Sequence, residues 1–197
     1  VKTRIFSEQS GVNNWSFVNL DESWSRSVSA TSKGRVLPFG RFTAERAALP
    51  VGSFFESAGA LIHLSLDGER EQLTVERSAL RGDHNRQNIA AAAAAARVLG
   101  APLEAIQSAI DSFQPLEHRV ELVRELNEVS YVNDSKGTNV SAVVVPLGLM
   151  QTDFAPAPSS SGTAPYVRLL IGGKIKEGNW EPIREKLRAH AADAGFD

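Results

Sequence analysis

The sequence predicts an α/β protein in two parts, on three observations. Residues 1–80 carry short runs of aromatic, β-branched and aliphatic residues between glycine-containing turns, the pattern of strands. Residues 83–113 switch to helical spacing, with an alanine run from Ala90 to Ala96 and an apolar stripe at Leu103, Ile106, Ile110 and Phe113. Beyond Gln114-Pro115 the order becomes strand, strand, helix, strand, helix, which implies a right-handed crossover in a Rossmann-like sheet.

Trp15 to Asn19 and Arg35 to Phe39 are the first strand candidates. Ser53 to Glu56, Leu61 to Leu66 and Gln72 to Val75 follow, each alternating or clustering apolar side chains. Asp67-Gly68 is a hairpin signal, because both residue types tolerate the positive φ of a tight primed turn. The first helix opens at Asp83 or His84 and stops at Gly100. Alanine has the highest helix propensity, and its small side chain lets such a helix lie close to a sheet. Pro102 opens a second helix, which runs to Phe113. Gln114-Pro115 breaks the pattern and marks a boundary between domains 1–115 and 116–197. Arg119 to Glu125 and Val129 to Val132 read as a hairpin around Leu126-Asn127-Glu128. Ser141 to Met150 reads as a helix, Tyr166 to Ile171 as a parallel strand, and Pro182 to Ala192 as a helix with proline in its first turn. Gln151 to Pro165 is a Pro- and Ser-rich connection with no assigned function.

Composition narrows the function classes. A chain of 197 residues, 42% of them hydrophobic, can bury a proper core. Its formal charge of -2 offers no electrostatic reason to bind nucleic acid or an anionic membrane. With no cysteine it has neither a disulfide scaffold nor a thiolate metal site. No apolar run approaches a membrane span, and the N-terminus lacks a signal-peptide pattern, so the expected location is cytoplasmic. The chain starts at Val1 without an initiator, its single Met being Met150, and reads as a piece of a longer protein.

Chemistry concentrates in the run Asn133-Asp134-Ser135-Lys136-Gly137-Thr138-Asn139, between a predicted strand and a predicted helix. Ligands of open α/β sheets sit where a strand's carboxyl end feeds a helix N-terminus. The competing reading is a polar connection in which Thr138 or Asn139 caps the next helix. Asn85 and Asn88, three apart at a helix start, share a face and could meet an adenine edge or a phosphate oxygen. They could equally be solvated amides on a helix capped by Asp83. His118-Arg119 follows the boundary and offers a planar fork of donors. Lys174 and Lys176 follow Gly172-Gly173, where the backbone can approach a ligand closely.

Taken in order, Gly82 to Asn88, Leu116 to Arg119, Tyr131 to Asn139 and Leu169 to Lys176 resemble the Mur ligases, which build the peptidoglycan stem peptide. The string Asn133-Asp134-Ser135-Lys136-x-Thr138-Asn139 is similar to that of the branch that adds D-glutamate; sister branches carry Asp-Tyr-Ala-His or Asp-Tyr-Gly-His strings there. The resemblance spans about Val1 to Ala194, and its specific motifs lie between Gly82 and Lys176.

The resemblance implies the end of a central ATPase domain over 1–115 and the start of a Rossmann-like C-terminal domain over 116–197. It implies a monomeric enzyme that transfers the γ-phosphate of ATP to the alanyl carboxylate of UDP-N-acetylmuramoyl-L-alanine, after which D-glutamate attacks the acyl phosphate. Asn85, Asn88, His118, Arg119 and Asp134 would hold ATP, with Asp134 on the ribose and Arg119 coupling nucleotide binding to domain closure. Thr138, Lys136 and Lys176 would hold D-glutamate, Lys176 and Lys136 being the catalytic candidates and Lys174 the neighbour of Lys176. Gly137 stands where the family string most often has alanine. Gly-x-x-x-x-Gly-Lys-[Ser/Thr] does not occur, and His63, His84, His118 and His190 share no ligand spacing. The ligands of Mg2+ are therefore expected outside this chain, which alone should be inactive. Two alternatives stay open: another Mur or folylpolyglutamate-type ligase, and a non-catalytic nucleotide-binding module.

Overall fold

The computed structural model describes residues 4–9, 13–57, 59–127, 129–152, 167–173 and 178–193. They fall into two compact units, Val1–Gln114 and Pro115–Asp197.

The first unit contains α1 (Arg4–Ser7), β1 (Trp15–Asn19), α2 (Ser25–Thr31), β2 (Arg35–Arg41), α3 (Ala44–Ala47), β3 (Gly52–Phe55), β4 (Leu61–Leu66), β5 (Glu69–Thr74), α4 (Asp83–Val98) and α5 (Leu103–Ser112). The five strands form one sheet in the order β1-β2-β3-β4-β5. β1, β2 and β3 run parallel, then β4 and β5 continue antiparallel. Parallel neighbours need a crossover, and α2 and α3 lie in the two connections. The sequence reading contained none of the three short helices. In α2 only Ser25 and Val28 are buried, so no apolar stripe announces it. α3 does carry a signal, since Thr43 caps it by accepting from the Arg46 amide at 3.3 Å.

The β4–β5 hairpin turns at Asp67 and Gly68, with φ of 51° and 88°, the primed geometry that suits the twist of the strands. Phe55, Ile62, Leu73 and Val75 from the sheet meet Ile89, Ala90 and Ala93 of α4 and Ile106 and Ile110 of α5. Leu37 and Leu64 meet Ala94. Ala90, Ala93 and Ala94 of the alanine run thus form the face on which α4 lies against the sheet, while Ala92 is exposed. The helix closes as a Schellman motif: the Ala101 amide donates to the Ala96 carbonyl and the Gly100 amide to that of Arg97, with Gly100 at φ 87°.

Arg97, in the last turn of α4, ties that helix to β5 through two bonds to Glu71, at 2.7 and 2.8 Å. The hydrogen-bonded guanidinium holds the Glu71 carboxyl below the usual carboxylate range. A depressed folded-state value means stability present above the ordinary Glu range and lost as pH falls through the lowered one. Glu71→Gln should therefore lower the melting temperature by about 2–4 °C at pH 7, and by progressively less in acid. Thermal scans from pH 3 to 7 would check it; a deficit that persists unchanged at pH 3 would contradict the ion-pair explanation.

The second unit contains β6 (Glu121–Leu126), β7 (Val129–Asn133), α6 (Val140–Thr152) and α7 (Glu181–Asp193). β6 and β7 form a two-stranded antiparallel hairpin, with a register shift between Leu122 and Arg124. α6 packs against α7, where Leu147, Leu149 and Ile183 are buried. Pro146 lies within α6 and can donate no helical hydrogen bond. The strand expected from Tyr166 to Ile171 is corrected: residues 167–172 form no strand and Leu170 is 97% exposed. Parallel pairing needs an available neighbour edge, and among the described residues β6 and β7 pair only with each other. Tyr166, and the Pro- and Ser-rich connection from residue 153 on, lie outside the described residues. Among the described residues no helix is long and apolar enough to cross a membrane.

Candidate functional site

In the second unit the chemistry sits on two turns that meet. Asn133 ends β7, and its side-chain oxygen accepts from the Ser135 amide at 3.1 Å, starting a tight Asx turn. The Gly137 amide closes that turn onto the Asp134 carbonyl at 2.9 Å. Asn139 caps α6 by accepting from the Ala142 amide at 2.8 Å. Asn139 is therefore the cap, and Thr138 keeps an exposed position beside it. Lys136 is also exposed. A Cβ on Gly137 would lie 2.9 Å from Asp134 Oδ2, so glycine leaves that carboxylate room to lie over the turn.

The facing turn is Leu116 to Val120. The Arg119 amide donates to the Leu116 carbonyl at 3.3 Å, and His118 has φ 67°. Three contacts join the two turns: the Val120 amide to Asp134 Oδ1 at 3.1 Å, the Lys136 amide to the His118 carbonyl at 3.1 Å, and Asn133 Nδ2 to His118 Nδ1 at 2.8 Å. Glu121 Oε2 accepts from the His118 amide at 2.8 Å. His118, Arg119, Asp134, Lys136 and Thr138 thus gather at one end of the hairpin. The site presents cations, a carboxylate and a hydroxyl together, a set able to bind a phosphorylated, hydroxyl-bearing molecule. Lys174 and Lys176 lie outside the described residues.

In the first unit, Asn85 and Asn88 sit in the opening turns of α4. Asn85 Nδ2 donates to the Arg81 carbonyl at 2.8 Å, and Asn88 is exposed. Asp83 is not the helix cap, which falls on Gly82 without a side-chain bond. Asp83 instead binds Ser57 through a very short hydrogen bond, Arg41 at 3.1 Å and Arg86 at 3.1 Å. Sequence reasoning missed what stands beside it, a cleft of about 490 Å³ lined by Leu20, Asp21, Arg41, Phe55, Asp83 and Gln87 among others. It opens at the carboxyl ends of β1, β2 and β3, the usual ligand position in such sheets. Arg46 pairs with Asp21 at 2.6 Å, and Gln87 donates to Asn19 and Asp21 at 3.2 and 3.1 Å. The signal was a charged residue at or near each strand's end, Asp21 after β1, Arg41 closing β2 and Glu56 after β3, readable only once the strands are known to be parallel.

No family model matches the sequence. The chain is 36% identical over 193 residues to the UDP-N-acetylmuramoylalanine--D-glutamate ligase of Desulfatibacillum aliphaticivorans, covering 97% of this chain and 38% of that protein. Identity is 33% over 187 residues with the ligase of the same name from Geotalea daltonii, covering 95% and 37%. The Myxococcus xanthus ligase of that name is 36% identical over 179 residues, with coverage of 89% and 38%. The chain therefore spans a little over a third of the length of these curated relatives. Among solved structures, MurF from Acinetobacter baumannii superposes with a TM-score of 0.59 at 17% identity, over 77% of this chain and 32% of that one. A UDP-N-acetylmuramoyl-L-alanyl-D-glutamate--2,6-diaminopimelate ligase gives 0.51 at 19% identity, over 76% and 30%. At such identities the likeness is one of fold.

Proposed function

We propose that the chain is part of a Mur ligase, and that it supplies part of the nucleotide and amino-acid sites of an ATP-dependent ligase joining D-glutamate to UDP-N-acetylmuramoyl-L-alanine. The observation that carries this reading is the alignment of nearly the whole chain with D-glutamate ligases. The Asn133–Asn139 string, at the strand-to-helix turn where a ligand site is expected, supports it. Residues 1–115 would be the end of the ATP-binding domain and 116–197 the start of the C-terminal ligase domain.

In this reaction the alanyl carboxylate takes the γ-phosphoryl group of ATP and ADP departs. The amine of D-glutamate then attacks the acyl carbon, a proton leaves the nitrogen, and phosphate departs as the amide forms. The residues of this chain position the reactants and balance charge. Asp134 accepts from ribose hydroxyls, His118 and Arg119 donate to phosphate oxygens, and Asn85 and Asn88 meet the adenine and phosphates. Lys136 and Lys176 face the carboxylates of D-glutamate, and Thr138 orients it. Mg2+ would neutralise phosphate charge. No cluster of His, Asp or Glu among the described residues is arranged to hold it, so its ligands are not assigned to them. The same reading places the enzyme in the cytoplasm as a monomer.

The test is phosphate release by the full-length protein, with ATP, UDP-N-acetylmuramoyl-L-alanine and each of several amino acids. Release should require D-glutamate; activity with a different amino acid instead would move the chain to a sister ligase. Lys176→Ala should raise the D-glutamate KM by about ten- to a hundredfold, the loss of one charge-assisted hydrogen bond. If Lys174→Ala changes it and Lys176→Ala does not, the other lysine holds the substrate. The 197-residue chain alone should bind Mg-ATP weakly, because it has no phosphate-gripping glycine-lysine loop. A low-micromolar dissociation constant by calorimetry would contradict that.

A further inference from the structure

Arg119 stands between two non-glycine residues in left-handed conformation, His118 at φ 67° and Val120 at φ 49°. For a β-branched residue this backbone is a genuine outlier, and it persists only where the surroundings over-determine it. What holds Val120 there is visible: its amide donates to Asp134 Oδ1 at 3.1 Å. On the other side of Arg119, the His118 amide donates to Glu121 Oε2 at 2.8 Å, and Asn133 Nδ2 reaches the same oxygen at 3.5 Å. The Lys136 amide closes the arrangement on the His118 carbonyl at 3.1 Å. Both ends of the three-residue segment are thus tied to the turn that carries Asp134.

We propose that Val120 and Glu121 are positioning residues for the nucleotide: they lock the Leu116–Val120 turn onto the Asn133–Gly137 turn and so set the direction of Arg119 relative to Asp134. The inference rests on the reading of Arg119 and Asp134 as ATP ligands. Valine by itself disfavours the left-handed region, so the clamped form rests on the bonds to Asp134 and Glu121. Either the turn keeps its clamped form or the residue leaves the left-handed region, which swings Arg119 away. Glycine would take the same φ without steric cost, yet it also visits many others, so the direction in which the Arg119 side chain leaves the turn would no longer be fixed. Preorganised ligands cost less ordering on binding, and a blurred one loses affinity.

The experiment uses the full-length protein, with Val120→Gly, Glu121→Ala, Glu121→Gln and Asp134→Ala measured side by side. Val120→Gly should raise the ATP KM by about tenfold, with the D-glutamate KM unchanged and the melting temperature equal or higher, because strain is relieved while preorganisation is lost. Glu121→Ala should raise the ATP KM as well. Glu121→Gln, which still offers an oxygen to the His118 amide, should restore most of it. If Val120→Gly and Glu121→Ala leave the ATP KM unchanged while Asp134→Ala raises it, the positioning role is overturned and the nucleotide reading stands. If Asp134→Ala also leaves it unchanged, the nucleotide reading fails and takes the proposal with it. Equal rises in both KM values with a lower melting temperature would mean general loosening, which also overturns the proposal.

Discussion

Asp134→Ala in the full-length enzyme is expected to raise the ATP KM by about ten- to a hundredfold, with the D-glutamate KM held within about twofold. The magnitude follows from one hydrogen bond to a charged group, about 1.5–3 kcal/mol. The geometry adds a second loss, because the carboxylate also accepts from the Val120 amide, which alanine would leave without that acceptor. Asp134→Asn separates the two effects. Its carbonyl oxygen still serves Val120, while the charge and one acceptor, proposed for the ribose, are gone. Asparagine should therefore retain the melting temperature and show an ATP KM between those of the parent and the alanine variant. An asparagine variant as impaired as alanine would place the whole effect on charge. An Asp134→Ala enzyme with normal ATP kinetics would remove Asp134 from the nucleotide site.

Ile62→Ala is expected to be among the most damaging single changes to the first unit, at about 2–5 kcal/mol. Ile62 is fully buried in the cluster that also holds Phe55, Leu73, Ile89, Ala90 and Ala93. Truncation removes apolar contact and leaves a void between a sheet and a helix that already lie close. Against a domain stability of about 5–15 kcal/mol, this is a large share. The melting temperature should fall by about 10 °C or more. Leu99→Ala is the control: the same class of side chain, 86% exposed, expected within about 0.5 kcal/mol of the parent. If Ile62→Ala melts within a degree or two of the parent, the site collapses around the gap and the packing argument is wrong.

The longer helices and the hairpins were legible because their causes are local. α4 and α5 follow from alanine propensity, the Leu103/Ile106/Ile110 stripe and the stop at Gly100, all within one segment. The β4–β5 hairpin follows from Asp67-Gly68, and the β6–β7 hairpin from two apolar runs around Asn127. The Asn133–Asn139 string stood out as a candidate site by its chemistry and its place between strand and helix, and the relatives carry the reading of its family.

The tertiary structure alone decided how these pieces use their polar groups. Whether β1, β2 and β3 pair parallel or antiparallel is a choice between neighbours, and the short α2 in the first crossover has too little apolar surface to show in sequence. Asp83 looked like a cap, yet it binds Ser57 across 26 residues, and Gln87 reaches Asn19 across 68. Asp134 looked like a free ligand group, yet one of its oxygens also holds Val120 in a left-handed turn. The reason is common to all of these. Periodicity and turn chemistry act through neighbours in the chain and can be read from it. A polar side chain takes whichever partner the fold brings within about 3 Å, and that depends on segments its own neighbourhood does not encode.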